Sequence, residues 1–76
     1  MSVLDEDQVR RLSDAVSATP GAAFWDHLHR ADGLGFGWLW CIGDANGLIA
    51  EGATWTRRGA MRALSVIRRE RTEDAA

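Results

Sequence analysis

The chain contains no lysine and no tyrosine, a single proline, a single cysteine and no long apolar run. With Cys41 alone there is no internal disulfide, and no second cysteine or Cys/His spacing indicates a zinc site. No apolar stretch approaches the roughly 18 residues that a membrane span requires. Residues 1–7 are acidic where a signal peptide would be basic and then apolar. These absences predict a cytoplasmic protein with no membrane partner.

The size and the charge of the chain limit its function further. A chain of 76 residues is one domain at most, and a domain this small buries only about 60% of its unfolded surface. The net charge of −2 argues against a surface that attracts nucleic acid everywhere. Three Arg against six acids give residues 1–34 a charge of −3, and six Arg against three acids give residues 35–71 a charge of +3. We expect one compact domain over residues 1–71 and a flexible acidic tail over residues 72–76.

Three helices are predicted from capping signals and apolar spacing. The first runs from about Val3 to Ser17, with Ser2 and Asp5 as its capping box and a narrow apolar stripe. The second begins at Thr19 and Pro20, which suit the N-cap and the first helical position, and ends near Ala31 or Asp32. Asp26 and Arg30 would then form a surface pair four residues apart. The apolar stripe of the first helix consists of Val9, Leu12 and Val16.

The third helix is predicted from about Arg57 to Arg71, with Thr56 as its N-cap. A buried stripe follows the helical period, with Met61 and Val66 beside it. Arg58, Arg62 and Arg69 fall on one outer side. The buried stripe consists of Ala60, Ala63, Leu64 and Ile67.

Residues 35–56 are typical of a β-hairpin whose turn is Asp44-Ala45-Asn46-Gly47. A type I turn closed by a left-handed glycine is favoured, and a two-residue Asn46-Gly47 turn is the alternative. In the favoured register Gly52 leaves room for a neighbouring ring, and both faces are largely apolar. One face then carries Phe36, Trp38, Trp40, Ile42, Leu48, Ala50 and Thr54, and the other carries Leu39, Cys41, Ile49, Glu51, Ala53 and Trp55. The predicted fold is α+β in the order α-α-β-β-α, an antiparallel hairpin packed by helices.

A two-stranded hairpin with two apolar faces requires further cover, because such a hairpin is not stable alone. Helices could cover both faces, with the third helix opposite the first two. Otherwise a spare face or edge is an interface, either to a second copy or to a partner.

No residue pattern indicates catalysis, a cofactor or a metal. On a helix, His27 and His29 would point about 200° apart and would not chelate one ion. Cys41 could act as a nucleophile with a histidine base, but in mid-strand it is more typical of a small buried apolar group. The Gly-rich residues 33–37 do not follow a strand and open a helix, as a phosphate-binding loop does.

The stretch from Trp38 to Gly52, with the turn Asp44-Ala45-Asn46-Gly47, is followed by Thr56 and a helix at Ala60. It resembles the strand-turn-strand-helix unit of small bacterial and phage domains and is loosely similar to YegP-type domains. The resemblance covers residues 36–71 and implies no catalytic residue. In size and style the chain is also similar to the compact inhibitors that phages encode, including anti-CRISPR proteins.

These observations predict a non-enzymatic protein-interaction module, an inhibitor or accessory factor from a phage or mobile element that occupies a surface of a host or phage protein complex. One alternative is a nucleic-acid-binding module that uses the basic helix and an exposed tryptophan. Another is a structural homodimer. The residues predicted to bind the partner are Trp55, Trp25, Arg58, Arg62 and Arg69.

Overall fold

The computed structural model describes residues 4–31 and 37–75 of the chain. The elements follow the order α-β-β-β-α, and the three strands form one antiparallel sheet in the order β1-β2-β3. The predicted α+β class is confirmed, whereas the predicted order α-α-β-β-α is wrong. The elements are α1 (Glu6–Ala18), β1 (Trp25–Arg30), β2 (Trp38–Asp44), β3 (Gly47–Thr54) and α2 (Arg57–Ala75).

The segment predicted as the second helix is the edge strand β1. Thr19 is the C-cap of α1 rather than an N-cap, and Gly21, at φ 84°, turns the chain away from the helix. β1 then pairs with β2 along its whole length, from Trp25 opposite Gly43 to Arg30 opposite Trp38. The helix signals were local, whereas the ladder that stabilises this segment joins residues distant in sequence. The predicted pair of Asp26 with Arg30 is therefore replaced by an ion pair of Asp26 with Arg68 of α2.

Helix α1 begins three residues later than predicted, because its capping box is Asp5 and Gln8. The Asp5 carboxylate accepts from the Gln8 backbone N–H at 2.8 Å, and the Gln8 side chain accepts from the Asp5 N–H at 3.0 Å. The predicted cap at Ser2 lies outside the described residues. The predicted apolar stripe is confirmed, since Val16 is buried and the other two members pack beside it.

The β2–β3 hairpin has the favoured turn. Gly47 has φ 125°, Ala45 and Asn46 have no positive φ, and the Asp44 carboxylate accepts from the Asn46 N–H at 2.8 Å. This is the type I turn closed by a left-handed glycine.

The predicted sharing of faces holds along most of the hairpin. Trp38 to Ile42 lie opposite Thr54 to Ala50, but the register shifts between Ile42 and Gly43. Leu48 consequently faces Gly43, on the other face from the one predicted. Phe36, which was predicted beside Trp38, lies outside the described residues.

Each face of the sheet carries one helix. On one face α1 packs on Trp25 and Cys41, and Leu4 closes the cluster. Neighbouring residues of a strand point to opposite faces, so Ile42 and Asp26 lie on the other face, where Asp26 meets Arg68. Helix α2 therefore covers this second face, with Ala60 and Leu64 buried along its inner side. Of the two arrangements that the sequence left open, the structure has helices on both faces, but with one helix on each face because the predicted second helix is strand β1.

The predicted start of α2 is confirmed, because the Thr56 hydroxyl accepts from the Gly59 N–H at 3.0 Å. Its predicted end at Arg71 is wrong, since the helix continues to Ala75. Ala63 and Ile67 are half-buried, as the stripe predicts, and Met61 and Val66 beside it are exposed. Neither helix, within the residues that the structure describes, is long and apolar enough to cross a membrane.

Candidate interaction surface

The four tryptophans have different surroundings. Trp25 is 6% exposed, and its indole N–H donates to the Ser13 hydroxyl at 3.0 Å and to the Asp44 carbonyl at 3.1 Å. Trp38 and Trp40 are half-buried, and Trp55 is 75% exposed. Trp25 is thus a core residue that offers no surface to a partner in this structure, whereas Trp55 remains in the candidate site.

Trp55 lies on a short connection between β3 and α2 that is held by side-chain hydrogen bonds. The Thr54 hydroxyl donates to the Thr56 carbonyl at 2.7 Å, and Thr56 in turn caps the helix. The backbone of Gly37 approaches from the other side, where a Cβ would lie 2.1 Å from the Thr54 carbonyl oxygen and 2.9 Å from the Trp55 Cα. The backbone that carries this large exposed side chain is therefore held on both sides.

The three predicted arginines lie along the exposed side of α2. At 100° per residue, Arg58, Arg62 and Arg69 fall within about 40° of one another. All three are exposed, and they lie opposite the buried Ala60 and Leu64. We call Trp55, Arg58, Met61, Arg62, Ser65 and Arg69 the outer face of α2.

A shallow depression of about 480 Å³ lies on this outer face. Met61, which is 46% exposed, contributes its apolar side chain to it. The other lining residues are Arg57, Arg58, Arg62 and Ser65. The depression combines cationic side chains with the apolar side chain of Met61. The only indication of it in the sequence is the position of Met61 beside the arginines.

A second concave region was not predicted from the sequence. A groove of about 450 Å³ runs between the first turns of α1 and the β2–β3 turn. Its apolar part includes Leu4, Val9 and Leu48, and the charged side chains along it are Glu6, Arg10 and Asp14. The two walls are more than thirty residues apart in the chain, so no local pattern could have indicated it.

The Cys41 thiol does not have the properties of an activated nucleophile. It is 1% exposed, as its mid-strand position predicts. Desolvation raises its pKa, and the charge of Glu51 raises it further. His27 lies directly opposite Cys41 in the sheet, but a raised pKa works against the thiolate that such a pair would need.

The comparisons with known proteins add no neighbour to this description. No family model, no curated protein and no solved structure gives a significant match to the chain. The resemblance to YegP-type domains therefore stays a prediction.

Proposed function

We propose that the chain is a non-enzymatic protein-binding module whose contact surface is the outer face of α2. The observation that carries this proposal is the exposure of Trp55. Its side chain is 75% exposed, on a hydrogen-bonded connection that leads into a helix with exposed arginines. A tryptophan on an ordered backbone loses little conformational entropy on binding, because only two side-chain torsions remain to be fixed. Tryptophan and arginine are also the residue types most enriched at binding hot spots.

The chemistry of this face favours a partner with an apolar pocket and an acidic rim. The pocket would take Trp55, and the thioether of Met61 would adapt to its edge. Arg58 and Arg62 offer planar guanidinium groups that pair bidentately with carboxylates. Six Arg against Glu70, Glu73 and Asp74 give α2 a charge of +3, which would speed association with an acidic surface.

The mechanism that we propose is steric occupation of a functional surface on the partner. A chain of 76 residues has little room for a deep cleft, but one helix face suffices to block another protein. We propose a host or phage protein complex as the partner, and an inhibitor of the anti-CRISPR kind or an accessory factor as the role. These assignments rest on size and style, and the contact surface rests on the geometry of α2.

Affinity purification of the full tagged chain from its native host tests the proposal. We expect one partner to copurify with the wild type, and to be lost with Trp55→Ala and with Arg62→Glu. Arg11→Glu is the matched control, because Arg11 is an exposed arginine on the other helix. Circular dichroism should show that all three variants are folded. Equal recovery of the partner by all variants would remove the outer face of α2 from the binding site.

A specific observation also supports the nucleic-acid alternative. Arg58, Arg62 and Arg69 follow one line along α2, and an exposed tryptophan near cationic groups can stack on an unpaired base. This alternative predicts that single-stranded oligonucleotides quench tryptophan fluorescence at low salt, and that affinity falls steeply as salt is raised. Quenching that persists in Trp55→Ala would arise elsewhere on the chain, and no quenching would exclude the alternative.

The layers of the fold limit which surfaces could form the interface of a homodimer. Because a helix covers each face of the sheet, the open edges of β1 and β3 are the parts of the sheet left for pairing with a second copy. Sedimentation of a monomer at high concentration would exclude this alternative.

A further inference from the structure

The placement of His27 and His29 on a strand changes what these two side chains can do. Residues two apart on a strand point to the same face, whereas on a helix they would diverge. The two rings lie side by side, with centroids 6.3 Å apart and planes inclined by 15°. The prediction that these imidazoles cannot share an ion rested on a helix, and that premise is wrong.

We propose that His27 and His29 form a two-imidazole site for a divalent transition-metal ion such as Zn²⁺. An ion about 2.1 Å from one nitrogen of each ring lies about 3.2 Å from each centroid, which places the centroids about 5 Å apart at a tetrahedral angle. The observed separation of 6.3 Å is about 1 Å longer than the chelating one, a difference that small side-chain rotations can remove. The nearly parallel rings must turn to aim two nitrogens at one point.

The surroundings of the pair allow this turn. His29 is exposed and His27 is half-buried, so the outer ring can rotate into solvent while the inner ring keeps its contacts. β1 is an edge strand, so within the described sheet no strand pairs with its outer side. Imidazole is a ligand that suits zinc, copper and nickel, and the remaining coordination positions would be taken by water.

The site has two protein ligands. Among the described residues, no three side chains of His, Cys, Asp or Glu come together as a metal centre. Cys41 lies opposite His27 but is only 1% exposed, so it is not counted as a ligand. The proposal concerns β1 and is independent of the protein-binding role of α2.

Calorimetric titration of the tag-free full chain with ZnCl₂ tests the site. The chain has only two histidines, so imidazole binding can arise nowhere else. We expect one ion per chain. His27→Gln and His29→Gln should each weaken binding by about tenfold or more, because chelation by two rings is lost. Arg30→Gln, on the same strand but the opposite face, should bind like the wild type.

Several results would overturn the proposal. Absence of saturable binding is one of them. Single histidine variants that keep the wild-type affinity would show independent imidazoles rather than a chelate. Loss of binding in Cys41→Ser, with retention in both histidine variants, would place the ion at the thiol. Circular dichroism of each variant without metal shows that the fold is unchanged.

Discussion

At the scale of single residues, Cys41 should determine how the free energy of unfolding changes at alkaline pH, because the chain has no lysine and no tyrosine that would lose protons there. Burial raises the pKa of the folded thiol above its ordinary value of 9.0. The unfolded chain therefore loses this proton at a lower pH than the folded one. The stabilisation is fully present below about pH 9 and is lost as the pH rises through the raised pKa of the folded state.

We therefore expect the free energy of unfolding to fall as the pH rises above about 9, with a smaller fall in Cys41→Ala. No other side-chain type in the sequence has an ordinary pKa close to that of cysteine, because lysine and tyrosine are absent, and the ordinary pKa of an α-amino group is lower, at about 8. Urea unfolding at a series of pH values measures the effect. An equal fall in the wild type and in Cys41→Ala would show that the thiol does not cause it.

Two glycines allow tryptophan rings to pack closely against the sheet, and substituting each glycine by alanine should have a different cost. A Cβ on Gly43 would lie 2.2 Å from the Trp25 ring, and one on Gly52 would lie 2.7 Å from the Trp40 ring. Trp25 is buried, whereas Trp40 is half-buried and can move. We expect Gly43→Ala to destabilise the fold by about 3 kcal/mol and Gly52→Ala by about 1 kcal/mol in urea unfolding. The reverse order would contradict this account of the packing.

At the scale of elements, the sequence predicted those parts of the fold that local chemistry determines. The turn needs a left-handed residue and has Gly47 there, and α2 has a threonine hydroxyl at its N-cap. β1 was missed because Thr19-Pro20 and the four-residue spacing of Asp26 and Arg30 are good helix signals. The strand is stabilised by pairing with β2 and by the Trp25 ring packed over Gly43, eighteen residues away, and no local pattern contains these contacts.

The cap of α2 gives a prediction at this scale. Thr56→Ala removes the acceptor of the Gly59 N–H and should lower the free energy of unfolding by about 1 kcal/mol. Thr72→Ala is the control, since the exposed Thr72 hydroxyl donates to the Arg68 carbonyl inside the same helix. Its effect should stay below about 0.5 kcal/mol. Equal melting temperatures of Thr56→Ala and the wild type would mean that the cap contributes nothing.

The candidate site could be predicted from the sequence only in part. The exposure of Arg58, Arg62 and Arg69 follows from the helical period, which the buried Leu64 fixes. The four tryptophans could not be sorted in this way, because whether each is buried depends on which helix covers which face. The structure keeps Trp55 at the surface and places Trp25 in the core.

At the scale of the whole molecule, one helix lies on each face of a three-stranded sheet, so both apolar faces of the sheet are covered. The aromatic residues of the sheet are then buried or half-buried, and among residues 4–31 and 37–73 the largest exposed apolar side chain is Trp55, next to α2. The net charge of −2 conceals this arrangement, because the acids of the first half offset the arginines of α2. A partner would therefore meet a molecule with one distinctly basic side.

The measurement that tests the central claim most directly is photo-crosslinking to the purified partner from two positions on the full chain. A photoreactive residue in place of Met61 reports on the outer face of α2, and one in place of Arg11 reports on the exposed side of α1. The account predicts crosslinks from position 61, their loss when Trp55→Ala is added, and none from position 11. Crosslinks from position 11 alone would contradict it.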